Sequence, residues 1–254
     1  MPLALKMQEE FGDDVQFIFV ESQGASANDM EKFVLQQKWF SDQAIWTCEP
    51  PVKSTGGGLP SCVVLGNDGE ILISDNPMSA HSAIEAALKE QLKLAKKGPK
   101  DLSPSCAKAW ADFEKGNYAA AIAALAAVPE GAEKDAADKL GSKLEVRAKA
   151  KLARLDWLIE SAEFEQADKL AAQLSKGLAG HELEAKATEL AGKLTAKEMA
   201  PEREAAKALE KLEKRIAKDG LDSAVVKALF AMSDKYAQTR AGKRAKHLAD
   251  LVGA

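Results

Sequence analysis

The spacing of apolar and polar positions changes once along this chain, near residue 100. Before that point short apolar runs alternate with amphipathic stretches; after it, apolar residues recur every three or four positions almost to the end. "PLALKMQEEFG" places Leu3, Leu5 and Met7 behind Pro2, which is favoured in a first helical turn, and stops at Gly12, so it predicts a helix. "VQFIFVES" is a β-branched and aromatic run, long enough for a strand and too short for a buried helix. In "NDMEKFVLQQ", Asn28 or Asp29 serves as a cap while Met30, Phe33 and Val34 share a face, which predicts a second helix. "AIWTCEPPVKSTGGG" carries Pro50, Pro51 and three successive glycines and reads as a connection without regular structure. "SCVVLG", "NDG" and "EILIS" predict a hairpin whose Asp68-Gly69 supplies the positive φ of a tight turn. A helix over residues 79 to about 97, with Ile84 and Leu88 inward, closes this part.

From residue 105 onward no strand signal remains, and Ala, Leu, Lys and Glu dominate. Cys106, Trp110 and Phe113 form one stripe, with Cys106 read as capping its helix and as a packing residue, and Trp110 and Trp157 as core anchors. A long helix is expected from about residue 133 to 160 on Leu140, Leu144, Ala148, Leu152 and Leu155. Short helices of this kind are marginal alone and must pack on their neighbours. "EKGNYAAAIAAL" and "ESAEFEQADKLAAQL" share an acidic start, an aromatic residue (Tyr118, Phe164) and an alanine three positions later (Ala121, Ala167). That resembles the helix-turn-helix junction of tetratricopeptide repeats (TPR), although the two copies stand further apart than the roughly 34 residues of that repeat. An irregular helical bundle is the alternative. The domain reading is therefore 1–97, a linker over 98–104, and an all-α, TPR-like domain over 105–254.

Composition narrows the function classes. The chain has 254 residues and a formal net charge of -4, which gives no electrostatic reason to expect nucleic acid. No apolar run approaches the roughly 18 residues of a membrane span, and the start lacks the basic and apolar regions of a signal peptide. A soluble cytoplasmic protein is the expectation from this chain, with a periplasmic or exported one as the alternative if a leader precedes Met1. Cys48, Cys62 and Cys106 are an odd, scattered set rather than a disulfide framework.

The order helix, strand, helix, loop with Leu59-Pro60, hairpin and final helix resembles the thioredoxin-like fold. Within it, "GLPSCVVLGNDG" is similar to the proline-bearing hairpin of the TlpA-type thiol-disulfide oxidoreductases and related peroxiredoxin-like domains. The resemblance covers residues 1 to about 95. It implies a cis Leu59-Pro60 bond, with the backbone of Leu59, Pro60 and Ser61 offered to an extended substrate segment; a trans proline that starts a strand is the other reading. Members of that family carry a CxxC, and a central strand leading into it, ahead of the first helix. This chain holds neither, so the fold class expected is an α/β thioredoxin-like domain that is incomplete, followed by the helical domain. Residues 15–20 and 61–66 normally flank the absent strand; without it they would pair directly or leave backbone groups unmet. An upstream segment is one expectation, and a remnant domain kept for binding is the other.

Other candidate chemistry is thin. Cys48 and Cys62 are the possible replacement redox pair, although Cys62 in the apolar "CVV" run reads first as a small hydrophobe. "PVKSTGGG" has its glycines on the wrong side of Lys53 for a phosphate loop. His81, His181 and His247 have no partners at metal-ligand spacing, and neither a metal nor a cofactor is expected. The basic C-terminal run of Lys235, Arg240, Lys243, Arg244, Lys246 and His247 reads as a solvated face, or as a site for an acidic partner. The function expected is thiol-disulfide redox work in the complete protein, with this chain inactive alone. The alternative is non-enzymatic binding of a protein or peptide by the helical surface or the groove beside Pro60.

Overall fold

A computed structural model describes residues 2–40, 45–52, 58–67, 69–98 and 102–253. Asp68 of the expected turn, Lys53 and the glycines at 56 and 57, and positions 99–101 of the expected linker lie outside the described residues. The molecule is mostly helical, with a small component of two separate two-stranded sheets.

Helix α1 (Pro2–Phe11) ends where Gly12 turns to φ +52°, and a 3₁₀ turn leads to strand β1 (Ile18–Val20). The Glu21 carboxylate accepts hydrogen bonds from the backbone N–H groups of Gln23, Gly24 and Ala25 at 2.6, 3.1 and 2.9 Å, folding the chain into helix α2 (Ala27–Gln36). The cap of α2 is Ser26, whose hydroxyl oxygen accepts from the Asp29 N–H, rather than Asn28 or Asp29. The buried face of α2 is Val34 and Leu35, and Phe33 is exposed.

The stretch read as irregular holds a strand, β2 (Ile45–Thr47), parallel to β1 in the register Ile18 to Ile45 and Val20 to Thr47. Its β-branched and aromatic residues precede the prolines that misled the reading. Phe19 stacks on Trp46 with centroids 4.6 Å apart, and Trp39 lies parallel to Trp46 at 6.5 Å. Residues 15–20 do not pair with 61–66. Instead β3 (Cys62–Leu65) pairs antiparallel with β4 (Ile71–Asp75), and Gly69 has the positive φ that the turn requires. Helix α3 (His81–Lys97) places Ile84 and Leu88 with Met7, Val64 and Ala80 in a small core. The side chain of Asn67 fixes the hairpin tip by donating to the Gln91 carbonyl at 2.7 Å.

The described residues from 102 on form eight α-helices, a 3₁₀ turn at Lys197–Met199 and no strand: α4 (Pro104–Glu114), α5 (Tyr118–Ala126), α6 (Lys134–Glu160), α7 (Phe164–Gly177), α8 (Glu184–Thr195), α9 (Ala200–Asp219), α10 (Ser223–Lys235) and α11 (Arg240–Gly253). Ser103 caps α4 by accepting from the N–H of Cys106; Cys106 itself is buried and caps nothing. From α4 to α8 each helix packs on the next, and α4, α5 and α6 also meet α6, α7 and α8 respectively. Tyr118, Ala121, Phe164 and Ala167 are all buried, the aromatic residues filling gaps and the alanines permitting close approach. Gly177 is needed at one such approach, because a Cβ there would stand 2.0 Å from the Gly116 carbonyl oxygen and 2.6 Å from the Tyr118 ring.

The compact units divide the chain differently from the boundaries 1–97 and 105–254. One unit is Met1–Leu92 with Glu204–Ala254; the other is Lys93–Arg203. The reason is visible in the first unit, where Leu35 joins Leu209, Ile216, Leu229 and Leu248 in one core and Phe40 packs against it.

Candidate binding site at the Leu59-Pro60 loop and the two sheets

The loop arrives at β3 through a cis Leu59–Pro60 peptide. Leu59 is 60% exposed, Pro60 is exposed and Ser61 is half-buried, so the three residues named from the sequence lie side by side on an open surface. Among the described residues twelve large apolar side chains are exposed, and nine of them fall between Ile18 and Met78. Ile18, Val20 and Ile45 come from β1 and β2; Leu65, Ile71 and Leu72 come from the hairpin. Among the described residues each strand pairs with one neighbour, so each has an edge without a strand partner there.

The structure does not bring the two candidate redox cysteines into one ladder. Both are free thiols, Cys48 just past β2 and Cys62 in β3. Cys48 Sγ lies 3.6 Å from the Ala25 carbonyl oxygen and 4.0 Å from Met30 Sδ, packed on the start of α2. Burial pushes the Cys62 thiol up from its ordinary range; the charge of Asp75 adds to this, against a hydrogen bond from the Asp75 backbone. A thiol held protonated in this way is a poor nucleophile.

The basic C-terminal run is largely matched within the molecule. Arg244 and His247 both reach Glu31 on α2, His247 Nε2 at 2.7 Å, while Lys246 pairs with Asp250 at 2.7 Å. Burial raises the Glu31 carboxyl, but hydrogen bonds and charge from Arg244 and His247 outweigh it and hold the group below its usual range. Lys235 donates to Tyr236 Oη at 2.7 Å, and that hydroxyl donates to Glu204 at 2.6 Å. This network stands at one end of an open groove of about 660 Å³ between α9 and α10, lined also by Leu212, Met232, Lys207 and Lys211. No motif marks that groove, because it forms between two helices whose facing side chains are ordinary lysines and aliphatics.

Among the described residues no group of three or more His, Cys, Asp or Glu side chains is placed to hold a metal ion, and no helix is long and apolar enough to cross a membrane. Trp110 agrees with its reading as an anchor: its Nε1 donates to the Ala95 carbonyl at 3.1 Å, and the Arg147 guanidinium lies 4.7 Å over its ring. Trp157 does not. It is 54% exposed, because its position falls opposite the buried stripe of α6.

No family model matches the chain, and no curated protein or solved structure matches it.

Proposed function

We propose that the chain is a non-enzymatic protein-binding module whose N-terminal sheets and Leu59-Pro60 loop hold an extended segment of a partner protein. The observation that carries this reading is that nine of the twelve exposed large apolar side chains among the described residues fall between Ile18 and Met78, on or beside strands that each have one strand partner there and an edge without one. An added strand satisfies such an edge through main-chain hydrogen bonds, and alternate side chains find apolar pockets or faces. The order α1, β1, α2, hairpin β3–β4 and α3, with β2 added beside β1, supports the thioredoxin-like reading of the first part, in which Leu59, Pro60 and Ser61 border an extended ligand. Packing of helices on first and second neighbours supports the TPR-like reading of α4 to α8. Thiol-disulfide work is less well supported, because Cys62 favours its protonated form and Cys48 lies beyond the end of β2, packed on the start of α2.

The test is capture of extended peptides with alternating apolar residues on the immobilised full chain. Leu59→Asp and Ile71→Asp are expected to abolish capture while leaving the helical circular dichroism and the thermal transition in place. Capture unchanged by both substitutions would sink the reading. A companion assay follows dithiol-driven reduction of insulin. The expected rate equals the rate without the protein, and catalysis lost in Cys48→Ser or Cys62→Ser would instead establish the redox function.

A further inference from the structure

Helix α6 shows a second exposed surface, in the other compact unit. Its inward stripe is Ala137, Leu140, Leu144, Ala148, Leu152 and Leu155, all buried against neighbouring helices. Directly opposite, Val146, Ala150, Ala153 and Trp157 follow one another at i, i+4, i+7 and i+11, which lines them up along the outer face. All four are exposed, Val146 at 66%. A solvent-facing helix side normally carries polar residues at these positions. Here an isolated Trp and Val flank two alanines over three turns, about 16 Å of helix.

The charges on this face are also unusual. Lys139, Lys143, Lys149 and Arg154 are exposed beside the stripe, and none of the four forms an ion pair among the described residues. Other cations of the same helix are matched: Arg147 pairs with Glu114 at 2.7 Å and Lys134 with Asp138 at 3.0 Å. The acidic residues of α6 are Asp135, Asp138, Glu145, Asp156 and Glu160, of which Asp138 pairs with Lys134 and Asp156 with Lys193.

We propose that the outer face of α6 docks an amphipathic helix of a partner protein, one whose apolar stripe is bordered by Asp and Glu. The straight stripe has the spacing of a helix-on-helix seam, and Ala150 and Ala153 let a partner backbone approach between the larger ends. Trp157 has the character of an interface anchor, a large ring that loses little side-chain entropy when covered. Four unmatched cations supply the complementary charge that sets register and speeds encounter. A second copy of the same face is disfavoured, because it would bring those cations against each other. A lipid surface is disfavoured as well, because insertion strength follows buried apolar area and two of the four apolar positions are alanine.

The experiment uses the full chain and a fluorescein-labelled synthetic helix of about 20 residues, long enough to hold helical structure. One version carries leucines at helical spacing bordered by glutamates, a second replaces each glutamate by lysine, and a third scrambles the first. Anisotropy titration at low salt is expected to show binding of the acidic helix only, weakening as salt is raised. Trp157→Ala and the double variant Lys143→Glu, Arg154→Glu are each expected to weaken it by about tenfold or more. All of these positions are exposed, so the melting curves serve as the control for folding. Equal binding of the lysine or scrambled helix, or acidic-helix binding that both variants leave intact, overturns the proposal. Retention on phosphatidylserine vesicles without binding of the acidic helix overturns it in favour of a membrane surface.

Discussion

Residues 18–75 and the helical unit Lys93–Arg203 use apolar side chains in opposite ways. The first leaves Ile18, Val20, Ile45, Leu65, Ile71 and Leu72 open, and its sheets have two strands each. The second encloses Phe113, Tyr118, Leu144, Leu155, Leu174 and Leu190 almost completely. Two strands cannot cover a second face or close their own edges, whereas helices that pack on first and second neighbours build a continuous core. The difference teaches where to look for each role: stability in the interior of the helical unit, and most of the exposed apolar side chains among the strands.

The strongest way to break that contrast is to truncate the same residue type in both regions. Leu155→Ala should cost about 4 kcal/mol, because a fully buried leucine leaves a cavity, while Leu72→Ala should cost less than about 1 kcal/mol. Urea denaturation followed by circular dichroism measures both, and similar losses would mean the sheets are held as tightly as the helices. Gly177→Ala probes the helical packing at its closest point. The added methyl meets a backbone carbonyl that cannot swing away, so a loss of about 3 kcal/mol is expected, and a neutral outcome would show that the helices part easily.

Glu31 tests what secures the strand-bearing part. Its depressed pKa means that its contribution is complete above the ordinary carboxylate range and fades as pH falls through the folded value. Glu31→Gln should therefore cost about 2 kcal/mol at neutral pH, and flatten the acid dependence of stability that the parent shows. A variant with the parent's acid profile would assign that dependence to other groups. The smallest effect is expected at Tyr118, whose hydroxyl is buried without a hydrogen-bond partner among the described residues. Tyr118→Phe should be neutral or raise stability by up to about 1 kcal/mol, since it removes an unsatisfied polar group and keeps the ring. A clear loss in calorimetry would reveal a bond to that hydroxyl through water.

Long-range decisions escaped the sequence in specific places. The periodicity of Leu140, Leu144 and Leu155 is a local property, so α6 was legible to within a residue of its ends. Ile45–Thr47 was missed because three residues give too short a period, and the adjacent prolines pointed the other way. Trp157 was misread for a related reason: size and apolarity favour burial on average, and only its angle on the helix places it outside. Of the candidate site, Leu59, Pro60 and Ser61 were legible as a loop entering a strand, whereas which residues of β1, β2 and β4 stay exposed is decided only by folding.

What the sequence determined by itself was local: which segments are helical, where Gly12 and Gly69 turn the chain, and that the chain's second half builds from helices alone. Propensity and periodicity act within a few residues, and those signals are strong here. Tertiary structure decided which strands pair, that Glu31 answers the basic run at Arg244 and His247, and that Leu35 and Phe40 belong to the core of the last three helices. Such contacts join residues well separated in sequence, from Ile18 with Ile45 to Glu31 with Arg244, and no local pattern encodes a partner at that distance, because the free energy that selects it comes from burial shared by both.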